Sequence, residues 1–264
     1  MAEGLAGRRM IEITSVGNEK IKETVKLQQK KYRNEKGLFL LEGYKPIYEA
    51  YVENVEICTV FTTAKYLEKF EFVKDKIILV TDAVMEKIST TDSAPEAVAV
   101  AKQVNITLES INQKTRIALI ENIKDAGNLG TLLRSAAAFG IEAVVLCGDT
   151  IDRYNPKVVR STVGGLFKVP VVKATVNDVK KQFGSHNFIA TVVNREDIVQ
   201  PDKINYTKPF VLMLGSEADG LTQEALAMAD VKTTIPMAKN TESLNLSVAG
   251  SVLFYLSSKN IIQV

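Results

Sequence analysis

The segment IALIENIKDAGNLGTLLRSAAAFGIEAVVLC, residues 117–147, decides the fold class of this chain. Two short apolar runs, Ile117–Ile120 and Ala143–Leu146, flank a stretch with helical spacing of apolar residues over Leu129–Phe139. A strand, a helix and a second strand in this order are typical of a parallel sheet covered by helices on its faces. We therefore predict an α/β domain built outward from this unit.

The same alternation continues toward the C-terminus. Four further apolar β runs lie at Val169–Val172, Phe188–Val193, Phe210–Leu214 and Val231–Ile235, and a long helical pattern closes the chain at Leu244–Ser257. Buried strands separated by helices predict a mostly parallel sheet with flanking helices over residues 114–264. Ligands of such sheets bind in the loops beyond the carboxyl ends of the strands.

Residues 10–106 predict a second, smaller α/β domain. Its strand-like runs are Phe39–Leu41, Val55–Phe61, Lys76–Val80 and Ala97–Ala101. Helical patterns and turn clusters separate these runs. The polar stretch Thr107–Lys114 is the best candidate for a linker between the two domains.

Composition excludes several classes of protein. The chain has 264 residues, of which 46% are hydrophobic and 24% charged, as expected for a globular protein with a substantial core. Its apolar runs are far shorter than the roughly 18 residues of a membrane span, and the first ten residues lack the apolar core of a signal peptide. Cys58 and Cys147 form no CxxC motif and no disulfide framework, so we expect a cytoplasmic protein.

The presence of only one histidine argues against several kinds of catalytic and metal site. His186 stands in a Gly-Ser-His-Asn stretch that predicts an exposed turn before a strand. Serine- or cysteine-based catalysis would have to use it, and a zinc site would have only it and two distant cysteines. No P-loop and no GxGxxG fingerprint occurs either. We therefore predict no metal site.

The net charge of +2 is small, but basic residues cluster in Lys20–Lys36, with seven lysines and arginines against two glutamates. Asn18 as N-cap and Gly37 as terminator predict one helix over this segment. The helix is either a solvated face or a site for phosphate groups, with Lys26, Lys30 and Lys31 as candidates.

Three loops after predicted strands are rich in Gly, Asn and Ser. The first, Glu121–Gly130, leads into a helix on which Arg134 shares a face with Gly130, so a ligand has room beside the guanidinium. An ordinary surface arginine at a helix start is the alternative. The second loop is Leu214–Leu221, and the third, Ile235–Ser247, leads into the last helix, with Ser243 as the predicted N-cap.

These loops resemble, in order, the three motifs of the SpoU/TrmH family of RNA ribose methyltransferases of the SPOUT superfamily. The matching stretches are NIKDAGNLGTLLRSAAAFG, LGSEADGL and IPMAKNTESLNLSVAG. Residues 10–106 also resemble the family's ribosomal-protein-like substrate-binding domain through Ile13–Ser15, Phe39–Gly43 and the Ser93–Pro95 turn. The chain departs from the family pattern at Lys45, Ala97 and Ala126, where Arg, Gly and Pro are usual.

The resemblance implies a C-terminal trefoil knot that binds S-adenosylmethionine. Carried over by position, the cofactor residues are Gly215, Ile235, Met237 and Leu244. The implied catalytic residues are Arg134, Glu217 and Asn245, with Asn128 and Ser243 as supporting hydrogen-bonding groups. Glu217 and Asn245 are expected to orient Arg134 and the substrate.

The family works as a homodimer in which Arg134 would act in the partner's site. The implied activity is methylation of a ribose 2′-hydroxyl, in rRNA because of the additional N-terminal domain. The alternatives are the same chemistry on tRNA, or a non-catalytic RNA-binding protein or ribosome assembly factor that retains the fold.

Overall fold

The structure is a computed structural model that describes residues 11–193, 197–241 and 243–259. The chain divides into two compact units. The first comprises the residues up to Val104 together with Tyr154–Arg160, and the second comprises Asn105–Arg153 and the residues from Ser161 onward.

The first unit is built on a five-stranded sheet. Its strands are β1 (Ile11–Ile13), β2 (Leu38–Glu42), β3 (Ile57–Thr62), β4 (Ile77–Val80) and β5 (Ala97–Lys102), in the order β1-β4-β3-β5-β2. β1, β4 and β3 are parallel, whereas β5 runs antiparallel to both β3 and β2. The helices are α1 (Glu19–Lys26), α2 (Lys30–Lys36), α3 (Tyr44–Val52) and α4 (Asp82–Ile88), and a segment of 3-10 helix covers Ala64–Lys76.

The predicted single helix over Lys20–Lys36 is wrong, because this segment forms two helices. Asn18 caps α1 and Gly37, with φ of +63°, ends α2, as expected. The break has a physical cause in Arg33, which is 1% exposed and donates from Nη1 to the carbonyl oxygens of Leu27 and Gln28. One arginine of the basic segment therefore terminates α1 and adds nothing to the surface charge.

The second unit is a six-stranded sheet. Its strands are β6 (Arg116–Glu121), β7 (Ala143–Cys147), β8 (Val171–Lys173), β9 (Asn187–Thr191), β10 (Phe210–Leu214) and β11 (Val231–Thr233). They lie in the order β11-β9-β10-β6-β7-β8, and every neighbouring pair is parallel. The helices of this unit are α5 (Ala126–Ala138), α7 (Gly165–Lys168), α8 (Val176–Gln182), α9 (Gln223–Ala227) and α10 (Leu246–Ser258), whereas most of α6 (Pro156–Thr162) belongs to the first unit. The predicted parallel α/β sheet is confirmed.

The polar stretch before β6 is packed rather than free. A short 3-10 helix at Glu109–Ile111 places Ile111, which is 2% exposed, in the core beside Ile117 and Val211. One buried apolar side chain in a polar segment therefore ties the predicted linker to the second unit.

The last helix begins two residues later than predicted. Asn245, not Ser243, is its N-cap, and the Asn245 Oδ1 accepts from the main-chain nitrogens of Ser247 and Val248 at 2.9 and 3.3 Å. α10 packs against α5 at Gly250, where a Cβ atom would overlap the Leu132 side chain. Among the described residues, no helix is both long enough and apolar enough to cross a membrane.

Candidate active site

The three Gly- and Asn-rich loops follow strands of the second sheet. β6 and β10 are parallel neighbours that end at Glu121 and Leu214, so the first two loops leave the sheet side by side. β11 ends at Thr233, and the third loop connects it to α10. This edge is the carboxyl end of a parallel sheet, where ligands of α/β folds bind.

The second loop is closed on itself. The main-chain nitrogens of Ser216 and Gly220 each donate to the carbonyl oxygen of the other, at 3.1 and 3.0 Å. Gly215 is buried against this closure, and a Cβ atom at Gly215 would overlap the Gly220 carbonyl carbon. The loop conformation therefore requires glycine at position 215.

A buried carboxylate joins the first strand to the second loop. Glu121, 3% exposed at the end of β6, accepts hydrogen bonds from Thr222 N and Oγ1, both at 2.8 Å. Thr222 is also the N-cap of α9, so this contact fixes the loop at its exit. The sequence carries no direct signal for this pair because the residues are 101 positions apart.

The second and third loops enclose a cavity of about 430 Å³. All four residues proposed for cofactor binding line it, namely Gly215, Ile235, Met237 and Leu244. Sequence reasoning missed Thr191, Leu221, Thr233, Ala249 and Leu253, which also line it. Leu221 and Ala249 stand inside the second and third motif stretches, whereas Thr191, Thr233 and Leu253 carry no motif signal and reach the cavity through the strand order β11-β9-β10 and the direction of α10.

Asn128, Glu217 and Asn245 form a hydrogen-bonded network. Asn128 donates from Nδ2 in a close contact with Glu217 Oε1 and accepts at Oδ1 from Asn245 Nδ2 at 3.0 Å. The Asn245 amide orientation is set by its capping contacts, because its oxygen faces the α10 nitrogens. One residue from each loop region therefore meets in one polar cluster, and Ser243 lines the adjacent cavity.

Arg134 does not join this network within one chain. It lies on α5, six residues after Asn128, and its side chain is exposed. Among the described residues, Glu217 is in contact with Asn128, and Arg134 has no hydrogen bond or ion pair. Gly165 of α7 packs against the Arg134 main chain, where a Cβ atom would lie 3.0 Å from Arg134 Cα. The backbone of Arg134 is thus held while its guanidinium stays available.

The predicted RNA-contacting lysines belong to the first unit. Lys26, Lys30 and Lys31 are all exposed. Lys26 forms an ion pair with Glu23 at 2.5 Å, and this contact raises the pKa of Lys26. Of the three, Lys30 and Lys31 form no ion pair among the described residues, so they carry the free positive charge.

Other polar groups are poor candidates for catalysis. Burial raises the pKa of the Cys147 thiol to about 12, so it stays protonated near neutral pH. His186 precedes β9 in a turn, as predicted, but it is half-buried and its Nε2 lies 2.9 Å from the Lys114 carbonyl oxygen. Within the described part of the chain, no three His, Cys, Asp or Glu side chains are grouped to hold a metal.

Comparison with protein families gives an independent assignment. The model of the SpoU rRNA Methylase family matches residues 115–255, and that of the MRM3-like substrate binding domain matches residues 18–99. The chain belongs to the SpoU rRNA methylase family. The resemblance drawn from the three loops is therefore confirmed.

Full-length relatives agree with the family assignment. The chain is 29% identical over 248 residues to the Bacillus subtilis 23S rRNA (guanosine(2553)-2'-O)-methyltransferase RlmP, covering 93% of this chain and 98% of the relative. It is 30% identical to an uncharacterized tRNA/rRNA methyltransferase of Synechocystis, covering 92% of both chains. A crystal structure of an AdoMet-bound rRNA methyltransferase from Sinorhizobium meliloti superposes with a TM-score of 0.87 at 27% identity, covering 96% of this chain and 99% of the other.

Proposed function

We propose that this SpoU family member transfers a methyl group from S-adenosylmethionine to a ribose 2′-hydroxyl of rRNA. The observation that carries the proposal is the polar cluster of Asn128, Glu217 and Asn245. This cluster lies beside the cavity that Gly215, Ile235, Met237 and Leu244 line. The Bacillus subtilis relative, named for this reaction on 23S rRNA, supports the choice of substrate.

The cavity residues fit the cofactor. Ile235, Met237 and Leu244 supply apolar walls, and among the described residues their main-chain nitrogens donate to no protein acceptor. Free main-chain donors beside an apolar wall suit a ligand with an adenine ring and polar ends. The volume of about 430 Å³ lies in the range of small-molecule sites. When bound, S-adenosylmethionine supplies an activated methyl group.

The chain's own residues position the hydroxyl and stabilise developing negative charge. Arginine is effectively never deprotonated in proteins, so Arg134 would hold the 2′-oxygen and stabilise the alkoxide rather than act as a free base. Glu217 and Asn245 would orient the substrate and the Arg134 guanidinium. Asn128 keeps both in place through its two hydrogen bonds, and Ser243 would add a further hydrogen bond to the ligand.

The proposal includes a homodimer. Arg134 is exposed and separate from Glu217 within one chain, so a partner's Arg134 would complete each site. α10 supports this arrangement, because Val248 and Tyr255 are 48% and 51% exposed although the opposite face of the helix is buried. An apolar helix exposed on one side is a usual subunit contact.

The remaining assignments follow family membership. We assign residues 10–106 to RNA binding, with Lys26, Lys30 and Lys31 facing phosphates, and residues 114–264 to the cofactor domain. We also assign a trefoil knot to the segment that passes from β11 through the third loop to α10. The reaction would take place in the cytoplasm, where bacterial ribosomes are assembled. Methylation of tRNA and a non-catalytic assembly role are the competing functions.

Calorimetry with S-adenosylmethionine separates catalysis from a non-catalytic role. We expect saturable binding at one site per chain. Arg134→Ala should retain cofactor affinity within about threefold while losing methyl transfer, because Arg134 lies outside the cavity lining. A wild-type protein with no measurable affinity for S-adenosylmethionine would exclude the proposed activity, and comparable loss of affinity in Arg134→Ala would exclude the role given to Arg134.

A further inference from the structure

Three tyrosines of α3 form an exposed row on the first unit. Tyr44, Tyr48 and Tyr51 are spaced by four and three positions, so they share one face of the helix. They are 38%, 41% and 47% exposed, so a large part of each ring faces solvent. We call these three residues the tyrosine row.

The rings of the tyrosine row are held in fixed positions. Tyr44 and Tyr48 stack with ring centroids 5.7 Å apart and planes 12° apart. Phe72 contacts all three, with centroids 6.0, 5.4 and 5.0 Å from Tyr44, Tyr48 and Tyr51 respectively. Since packing already orders the rings, a partner that stacks on them loses little side-chain entropy on binding.

The chemistry of this surface fits nucleic acid bases. Exposed aromatic faces with hydroxyl groups at their rims stack on unpaired bases and accept any base, because every base has a π-face. Lys45 follows Tyr44 on the same helix, is exposed and forms no ion pair among the described residues. Its ammonium group can therefore bind a backbone phosphate. Lys74, two residues after Phe72, forms an exposed ion pair with Glu71 at 3.4 Å, so this pair adds no net charge.

The position in the chain favours the same occupant. α3 and the Phe72 segment both lie inside residues 18–99, which match the MRM3-like substrate binding domain. The tyrosine row therefore belongs to the part of the chain that matches a substrate-binding model, and this placement favours RNA as its occupant.

We propose that the tyrosine row stacks on unpaired bases of the rRNA substrate, with Lys45 contacting an adjacent phosphate. The inference rests on the proposed function, because it assigns the substrate of that activity to a surface of the first unit. It differs from the basic segment at Lys30 and Lys31, where charge alone would drive contact.

A single tryptophan reports on this surface. The chain has no tryptophan, so Tyr48→Trp creates one emitter within the tyrosine row. Titration with a single-stranded RNA oligonucleotide should quench its fluorescence through base stacking, and the same sequence annealed to its complement should quench it weakly. Equal quenching by both forms, or none by either, would overturn the proposal.

Leucine and phenylalanine variants separate stacking from simple burial. Tyr48→Leu and Tyr51→Leu should each weaken binding of the single-stranded oligonucleotide about tenfold, whereas Tyr48→Phe and Tyr51→Phe should bind like wild type. The dependence of log affinity on log salt should keep its wild-type slope in all four. Cofactor affinity should be unchanged because the cavity lies in the second unit. Unchanged circular dichroism and thermal unfolding of the same samples verify that the first unit is folded.

Two results would overturn the inference without touching the methyltransferase assignment. One is wild-type RNA affinity in both leucine variants, and the other is reduced self-association of those variants in sedimentation, which would make the tyrosine row a contact between copies. Conversely, quenching by RNA in a protein that transfers no methyl group would leave the inference standing and reject the proposed function.

Discussion

At the scale of single residues, Asn245 connects architecture with the polar cluster. Its Oδ1 caps α10 while its Nδ2 donates to Asn128, which in turn donates to Glu217. An aspartate could keep the cap but would lose the donor, and a serine is too short to reach Asn128. Ser243 and Asn245 are both favourable N-cap residues, but only Asn245 combines the cap with a hydrogen bond to Asn128 in this structure.

At Gly215, the addition of one methyl group should strongly weaken cofactor binding. In Gly215→Ala the new methyl group would overlap the Gly220 carbonyl carbon, so the second loop, which lines the cavity, must change its conformation. We expect the Kd for S-adenosylmethionine in calorimetry to rise at least about tenfold, a loss of roughly 1.4 kcal/mol. Gly17→Ala is the control, because Gly17 lies in the first unit and a Cβ atom there would make only an ordinary contact with Ser15 Oγ at 3.4 Å. Wild-type affinity in Gly215→Ala would contradict this explanation of the loop.

At the scale of elements, the site at the sheet edge depends on a contact between the end of one strand and the loop that follows the neighbouring strand. Glu121 ends β6 and accepts two hydrogen bonds from Thr222, which begins α9 beyond the second loop. A carboxylate that is buried and hydrogen-bonded in this way stabilises a specific loop position, since leaving its partners unpaired is costly.

Glu121→Gln tests this connection. The amide keeps the shape but loses the charge, and its nitrogen can only donate, so the contact with Thr222 Oγ1 must reverse direction or be lost and the attachment of the loop is weakened. We expect cofactor affinity to fall about tenfold, together with about 1–3 kcal/mol lower stability in urea unfolding. Glu142→Gln is the control, because Glu142 accepts from Thr115 and Arg116 at the opposite end of β6. An equal loss of cofactor affinity in both variants would mean that only global stability matters.

Sequence patterns predicted the strands and loops of the second unit because buried parallel strands are continuous apolar runs ended by glycine-rich turns. They did not predict the break between α1 and α2, which depends on the buried side chain of Arg33 and its contacts with Leu27 and Gln28. They also did not predict the contact between Glu121 and Thr222, which exists only because β6 and β10 are neighbours in register. Local propensity carries no information on such contacts.

At the scale of the whole molecule, the basic segment should act through charge alone. Neutralising Lys30 and Lys31 with glutamine should flatten the slope of log affinity for rRNA against log salt by about 0.7–0.9 per lysine. Lys208 and Lys232, exposed lysines of the second unit that form no ion pair among the described residues, give a matched double variant that should keep the wild-type slope. If the Lys30 and Lys31 variant also keeps that slope, the segment is a solvated face.

An active site composed of residues from two subunits predicts that two inactive variants complement each other. Arg134→Ala and Glu217→Ala should each be inactive alone, because each removes one half of every site. Mixed subunits should regain part of the activity, since in a heterodimer one site would hold both an intact Arg134 and an intact Glu217. Sedimentation at micromolar concentration gives the accompanying control, and a 29.0 kDa species that methylates rRNA would contradict the obligatory dimer.

The position of the transferred methyl group tests the central claim most directly. The purified protein would be incubated with unmodified rRNA and methyl-labelled S-adenosylmethionine, and the RNA digested to nucleosides and separated by mass. The label is expected in one 2′-O-methylnucleoside with wild-type protein and absent with Arg134→Ala. Label on a base, or a protein that binds the cofactor and leaves every ribose of the rRNA unmethylated, would contradict the account.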